Sequence, residues 1–476
     1  MLIDYGKIDF ILLSSSVKTY SFLVAVFYFF QLVDKIWQFT EIFFHFLLIH
    51  LFLAKDSNKN SKTETMKTKL IFAGIMIISL FTACKKGSST GLTDNLPNIT
   101  GFPIVGTNQS TSYNNTSVFS KPSSGQDFYG QNSNYPGKSP SYTNNNDGTI
   151  TDNITGLMWT QDMTGTKAYS EIQSAATSCT TGGHKDWRVP TIKELYSIIM
   201  FSGKDVSNLN SLTGNEVPFV NTEYFKFAYS SGQRLIDVQV ATSNTSPGVN
   251  KDRNLTLVYG VNFADGRIKG YGTILPNGAP KTFNYMFVRG NSTYGKNNFL
   301  DNGDGTITDN ATGLMWMKND SQAGMNWKDA LYFAENFTHA GHSDWRLPDA
   351  KELQGIVDYS RSPQTTGSAA IDPLFNATAI TNEAKQTDYP FYWTSTTHAI
   401  GNSASEGGQD AVYLCFGRAM GYSDLFSPGT TTWTDVHGAG TQRCDPKSGT
   451  PSSTGFGPQG DAERVLNYVR LVRNVK

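Results

Sequence analysis

His342-Ser343-Asp344-Trp345-Arg346-Leu347-Pro348-Asp349-Ala350-Lys351-Glu352-Leu353 has a counterpart 158 residues upstream, His184-Lys185-Asp186-Trp187-Arg188-Val189-Pro190-Thr191-Ile192-Lys193-Glu194-Leu195. A second pair of blocks precedes these at matching distance, 157 residues apart: Asp147-Gly148-Thr149-Ile150-Thr151-Asp152-Asn153-Ile154-Thr155-Gly156-Leu157-Met158-Trp159 and Asp304-Gly305-Thr306-Ile307-Thr308-Asp309-Asn310-Ala311-Thr312-Gly313-Leu314-Met315-Trp316. Two different motifs that keep register to within one residue mean an internal duplication.

Each copy opens with a hairpin signal. Asn146-Asp147-Gly148 and Gly303-Asp304-Gly305 supply residues that tolerate positive φ, and Thr-Ile-Thr then alternates as a strand does. Thr155-Gly156 and Thr312-Gly313 mark a second turn before an apolar Leu-Met-Trp strand. The Asp and Asn residues therefore read as turn chemistry. An EF-hand fails, because aligning Gly305 to its glycine places Leu300 and Ala311 at ligand positions, and copy one places Thr143 and Ile154 there. A calcium site of another type stays open.

A helix is expected next. Trp327, Ala330, Leu331, Ala334 and Phe337 share one helical face in copy two, as Tyr169, Ile172, Ala176 and Cys179 do in copy one, which makes Cys179 a buried core thiol. In the defining block, Trp-Arg-Leu/Val reads as a strand end, and Pro190 and Pro348 suit the first helical position. Asp186 with Arg188, and Asp344 with Arg346, lie two apart on a strand. They are expected to form a half-buried ion pair that makes Asp186, Trp187, Arg188, Pro190, Asp344, Trp345, Arg346 and Pro348 a structural motif. His184 and His342 read as structural histidines.

The paired blocks resemble the bacterial Lcl C-terminal domain family (Legionella collagen-like protein), across about 147–290 and 304–475. The Arg-Leu-Pro step into a helix is also similar to the C-type-lectin-like and sulfatase-modifying-factor fold group. The resemblance implies an α+β class: two tandem C-type-lectin-like units, each a twisted, mostly antiparallel sheet with two flanking helices. It also implies adhesion, including to sulfated glycosaminoglycans. The charge balance speaks against that ligand, because residues 147–290 hold 13 basic against 12 acidic residues and residues 301–476 hold 13 against 20. Nucleic acid is disfavoured on the same ground.

The expected boundaries are 142–292 for copy one and 297–476 for copy two, with an inserted Gly/Ser/Thr/Pro-rich loop at 420–461. Residues 85–141, rich in Ser, Thr, Asn and Gly, read as a flexible tether whose Phe102, Ile104, Phe119 and Phe128 are candidates to dock on copy one. Residues 66–84 read as a lipoprotein signal: a basic start at Met66-Lys67, an apolar run, then Leu80-Phe81-Thr82-Ala83-Cys84, with Cys84 the lipid attachment site. Residues 1–65 are an upstream mis-start or a membrane segment. Both readings place the globular part outside the cytoplasm, in the bacterial cell envelope.

Of four cysteines, Cys415 and Cys444 remain for a disulfide stapling the inserted loop to a core strand. No catalytic signature appears: there is no nucleophile elbow, phosphate loop or zincin helix, and no cofactor is implied. His339-x-x-His342 lacks further metal ligands, so no metal site is assigned. The expected function is adhesin-like binding of a glycan or an extracellular protein, with Tyr422, Phe426 and Trp433 as candidate ligand-stacking residues. A coat protein without a specific ligand is the alternative, followed by a metal-dependent or sulfatase-modifying-factor-like enzyme.

Overall fold

The repeated Thr-Ile-Thr and Leu-Met-Trp segments pair as a hairpin in both copies, placing Ile150 opposite Trp159 and Ile307 opposite Trp316. All four side chains are fully buried. The computed structural model describes Leu96 and residues 99–232, 234–246, 257–275, 277–401, 407–424 and 429–475. The expected signal, Cys84 and the segment 1–65 lie outside the described residues, as does Phe426. Among the described residues no helix is long and apolar enough to cross a membrane.

The chain is mostly sheet with few helices. A leading segment carries β1 (Ser112–Tyr113) and β2 (Val118–Phe119). Copy one contains β3 (Tyr142–Asn144), β4 (Thr149–Asp152), β5 (Leu157–Thr160), β6 (Thr166–Ala168), α1 (Tyr169–Ser178), α2 (Ile192–Ser197), β7 (Gln239–Thr245), β8 (Leu257–Asn262), β9 (Arg267–Gly272), β10 (Thr282–Asn284) and β11 (Val288–Gly290). Copy two contains β12 (Phe299–Asp301), β13 (Thr306–Asp309), β14 (Leu314–Met317), α3 (Trp327–Glu335), α4 (Ala350–Gly355), β15 (Ile380–Thr381), β16 (Thr387–Asp388), β17 (Phe391–His398), β18 (Asp410–Cys415), β19 (Met420–Ser423), β20 (Thr432–Asp435), β21 (Gln442–Pro446) and β22 (Val472–Asn474).

Each copy builds its own four-stranded sheet, β11-β5-β4-β3 and β12-β13-β14-β22. The larger sheet is shared, in the order β17-β18-β21-β9-β8-β7-β10-β6, and the copies meet where Gln442 of β21 pairs antiparallel with Ile268 of β9. One hydrophobic core likewise takes Trp159, Leu195 and Tyr259 from copy one and Trp316, Leu353 and Leu414 from copy two. Each copy also keeps a private core: Ile172, Trp187 and Phe283 in one, Trp327, Trp345 and Trp393 in the other. The tandem units are thus fused edge to edge in one compact unit, Asp94–Lys476.

The expected insertion 420–461 is no simple loop. In copy one, β8 turns directly into β9 through Gly266, whose φ of +65° suits glycine. In copy two the chain leaves β18, forms the β19–β20 hairpin, and returns as β21 to fill the place equivalent to β9. Gln442 and Asp445 of β21 are fully buried. Composition alone hid a core strand, because its buried residues are largely polar.

The tether expectation also fails from residue 99 to 141. This segment is an ordered strap. Gly106 donates its N–H to the carbonyl of Lys138 at 2.8 Å, closing an excursion of residues 107–137. A Cβ on Gly106 would sit 2.3 Å from the Pro136 carbonyl oxygen, so the crossing requires glycine. Phe102 enters the shared core, 4.7 Å ring to ring from Tyr294, and Phe128 lies 6.3 Å from Trp327 of copy two. The strap is held mainly by buried carboxamides, Gln109, Gln131 and Asn132, which an apolar-area reading does not count.

Candidate functional site

The Trp-Arg-Pro junction closes on itself in both copies. Arg188 exchanges two backbone hydrogen bonds with Val288 of β11, and Arg346 does the same with Val472 of β22. Each guanidinium then forks onto a glutamate of the following helix. Arg188 meets Glu194 at 2.6 and 2.5 Å, and Arg346 meets Glu352 at 2.6 and 2.7 Å. The same glutamates complete capping boxes: Glu194 accepts the Thr191 N–H at 2.8 Å, and Glu352 accepts the Asp349 N–H at 2.9 Å. Burial alone would raise the Glu352 carboxyl, but the Arg346 charge outweighs it and holds it below its ordinary value.

Two expectations are corrected here. The aspartates do not pair with the arginines two residues on. Asp186 binds Arg289 at 2.6 Å and Asp344 binds Arg473 at 2.7 Å, so they fasten the closing strands instead. Pro190 and Pro348 precede the cap residues Thr191 and Asp349 rather than opening the helix. Their carbonyls accept the N–H groups of Ser243 and Ser395, at 2.8 Å each. The helix starts are fixed to β7 and β17 once more, by Ile192 N–H on Asn244 and Ala350 N–H on Thr396. Sequence reasoning missed both glutamates, although the Thr/Asp-x-x-Glu spacing was the signal for them.

The Asp-Gly turns are self-contained. One carboxylate oxygen of Asp147 accepts both the N–H and the hydroxyl of Thr149, and Asp304 treats Thr306 alike. His339 bonds through Nε2 to the Asp304 carbonyl, and its main chain pairs with that of His342. The His184 ring lies edge to face with Trp187. Among the described residues no group of three or more His, Cys, Asp or Glu is placed to hold a metal.

The proposed disulfide is absent: Cys415 and Cys444 are free thiols. Cys444 pairs with Val412 across the β18–β21 ladder, three residues from Cys415. An odd offset points the two side chains to opposite faces, and three residues of strand separate them by roughly 10 Å. Burial pushes the Cys444 thiol up to about 12 and raises Cys415 well above its ordinary value. Cys179 caps α1 and is half-buried, not a core thiol as expected.

A buried charge network seals the joint between the copies. Arg267 holds Asp205 at 2.6 Å, Lys269 holds Asp265 at 3.1 Å, and His398 approaches Asp205 at 3.3 Å while stacking on Phe219. Burial, aided by Arg267, lowers His398 and keeps it neutral. These groups are enclosed and face one another rather than solvent.

The candidate stacking residues Tyr422 and Trp433 face each other across the β19–β20 hairpin, ring centroids 5.4 Å apart and half-buried. They pack on each other, so these two rings do not form an open platform.

An open cleft lies elsewhere. A cleft of about 830 Å³ runs along copy one's junction and reaches copy two at Asp358 and Tyr359. Arg188, Asn244, Thr245 and Asn297 line it, with Ser243 and Thr245 exposed. At its floor Lys193 donates to Asn297 at 2.8 Å and to the Gly295 carbonyl at 3.3 Å, and burial lowers its amine to about 8. The lining offers hydroxyl, amide and main-chain groups together with the charged Arg188, Lys296, Asp358 and Asp372.

The family model of the Lcl C-terminal domain matches residues 148–283 and 305–434, more than half of the chain. No curated protein and no solved structure matches. The two matched stretches each contain the hairpin, the Trp-Arg-Pro junction and the capping glutamate, and the chain therefore belongs to the Lcl C-terminal domain family, with the domain present twice in tandem.

Proposed function

We propose that this protein is a binding protein of the bacterial cell envelope, held by lipid on Cys84, which engages an extracellular glycan or protein through two lectin-like units. The observation that carries this reading is the copy-one cleft: large enough for a polymer segment, open, and lined by hydrogen-bonding groups set among charged side chains. Catalysis has less support. The arginines and glutamates of the motif are fully engaged with each other, and the buried thiols are held in the protonated form, which is a poor nucleophile. The acidic balance of copy two supports a neutral glycan or a protein over a sulfated chain.

The test is a binding screen of the full chain, kept in detergent, against arrayed glycans and matrix proteins. Saturable binding that weakens at least tenfold in Asn244→Trp, which fills the cleft mouth, is expected. Absence of saturable binding across the panel would overturn the reading in favour of a coat role.

A further inference from the structure

The two copies present the same surface beside the junction, and among the described residues only that of copy two is covered. Ser243-Asn244-Thr245 at the end of β7 corresponds to Ser395-Thr396-Thr397 on β17, because each serine bonds its Pro carbonyl and each next residue caps its helix. In copy two these residues are buried to 3 % exposure or less, whereas Ser243 and Thr245 are exposed.

The strap makes the difference. The Gln109 carboxamide donates to the Thr397 carbonyl at 2.8 Å and accepts the Thr397 N–H at 2.9 Å, so one side chain satisfies both main-chain groups of a sheet-edge residue. Asn132 adds its own N–H to the Ser395 carbonyl at 3.1 Å and accepts the Thr396 hydroxyl. Tyr135 lies 5.7 Å over the Arg346 guanidinium.

Among the described residues copy one has no such cover, and its linker is short. The floor lysines show the equivalence: Lys351 donates to the Gly106 carbonyl as Lys193 donates to that of Gly295. After Gly106 the chain makes the 107–137 excursion, whereas after Gly295 it runs directly into β12. Ser246 donates to Leu257 across the β7–β8 ladder. Alternation along the ladder then turns the N–H and C=O of Thr245 away from β8, toward the cleft it lines.

We propose that the copy-one cleft is a docking site for an extended polypeptide segment of a partner protein, which seats a glutamine carboxamide on the main chain of Thr245 as Gln109 does on Thr397. This rests on the binding reading above and names its ligand class. A primary carboxamide carries an N–H and its C=O on the same side. The acetamido group of an amino sugar is a trans secondary amide, with its N–H and C=O on opposite sides, and cannot bridge both groups of one residue. Main-chain pairing at a strand edge supplies affinity, and the arginine supplies a seat for an aromatic ring.

The test uses the full chain and a fluorescent peptide of residues 104–112, Ile-Val-Gly-Thr-Asn-Gln-Ser-Thr-Ser, read by anisotropy. Saturable binding is expected, with at least tenfold weakening when the peptide glutamine is replaced by glutamate, which cannot donate to the carbonyl. Thr245→Pro, which removes the N–H, should weaken binding equally, and Ser243→Trp provides a second block should the proline disturb folding. An N-acetylglucosamine oligomer should not displace the peptide. Equal binding of the glutamate peptide, indifference to both variants, or displacement by the sugar would overturn the proposal. So would a dimer of the chain that Thr245→Pro dissolves, since the occupant would then be a second copy. Ligands from the glycan and matrix screen that bind regardless of Thr245 would leave the broader binding reading standing and remove only this one.

Discussion

Copy one and copy two use one junction in two settings. Arg188 keeps 35 % of its side chain exposed and borders an open cleft, while Arg346 keeps 12 % and lies under the strap. The hydrogen bonds are the same to within 0.2 Å. Geometry is therefore set by the motif, and energetics by what covers it. A guanidinium held away from water leaves a stranded carboxylate when it is removed, whereas removing one at the surface opens a path for water to the carboxylate beneath it.

The largest effect that sharpens this comparison is Arg346→Ala. It isolates Glu352, whose side chain is 10 % exposed, and should cost about 3 kcal/mol, within the range for breaking a buried pair. Arg188→Ala leaves Glu194, whose side chain is only 3 % exposed, but that guanidinium is already screened by solvent and its removal opens the carboxylate to the cleft, so the loss should be smaller, about 2 kcal/mol. Denaturant midpoints of the two variants measure the gap. Equal losses would mean the strap does not alter the dielectric around the junction.

The duplication, the hairpins, the buried tryptophans and all but the last residue of each first-helix face, Cys179 and Phe337, were legible in the sequence, because periodicity and turn residues report them directly. Ion-pair partners were not. The pairing of Asp344 with Arg473 joins residues 129 positions apart, and nothing local distinguishes it from the nearer Arg346. The Glu352 contact was local and readable from the capping spacing. The strap and β21 were misread for one shared reason: both are ordered by buried polar side chains and main-chain bonds, so their composition resembles that of a loop. The copy-one cleft was invisible because it exists where no described segment covers the junction. Comparing the length of chain before each copy, 106–142 against 295–299, was the one sequence signal that pointed to it.

A smaller effect separates the two helix caps. Asp349 caps α4 where Thr191 caps α2, and burial, with the adjacent Glu352 charge, raises the Asp349 carboxyl to about 7. A carboxyl with a higher pKa in the folded state binds its proton more tightly there. Its contribution is fully present below the unfolded value near 4 and is lost as pH rises through about 7. Asp445 and Asp435, raised by burial to about 7 and about 6, act in the same direction. His398 and His437, both lowered by burial, must take up protons on unfolding and oppose this between pH 5 and pH 7, so the Asp349 contribution is read from the difference between wild type and variant. Asp349→Thr, which installs the copy-one cap, should lose more stability at pH 5 than at pH 7, where the change should be no more than about 1 kcal/mol. An unchanged pH slope in the variant would place the acid stabilisation on β20 and β21 alone.

The smallest effect concerns the thiols, where the copies differ in access rather than in bonding. Copy two holds Cys415 and Cys444 with their protons retained by burial, and copy one holds Cys179 half-buried at the end of α1. Because a β-ladder offset of three residues sets the copy-two sulfurs on opposite faces, a reductant has no bond between them to cleave. Melting with and without dithiothreitol should coincide within experimental error, where opening a disulfide around a loop of this size would cost on the order of 3 kcal/mol. Alkylation of the native protein followed by peptide mapping should label Cys179 first and the copy-two pair only slowly, since the thiolate is the reacting form. A reductant-sensitive melt, or a Cys415–Cys444 cross-linked peptide in the map, would require β21 to shift along β18 and would break the alignment of the two halves at its central strand.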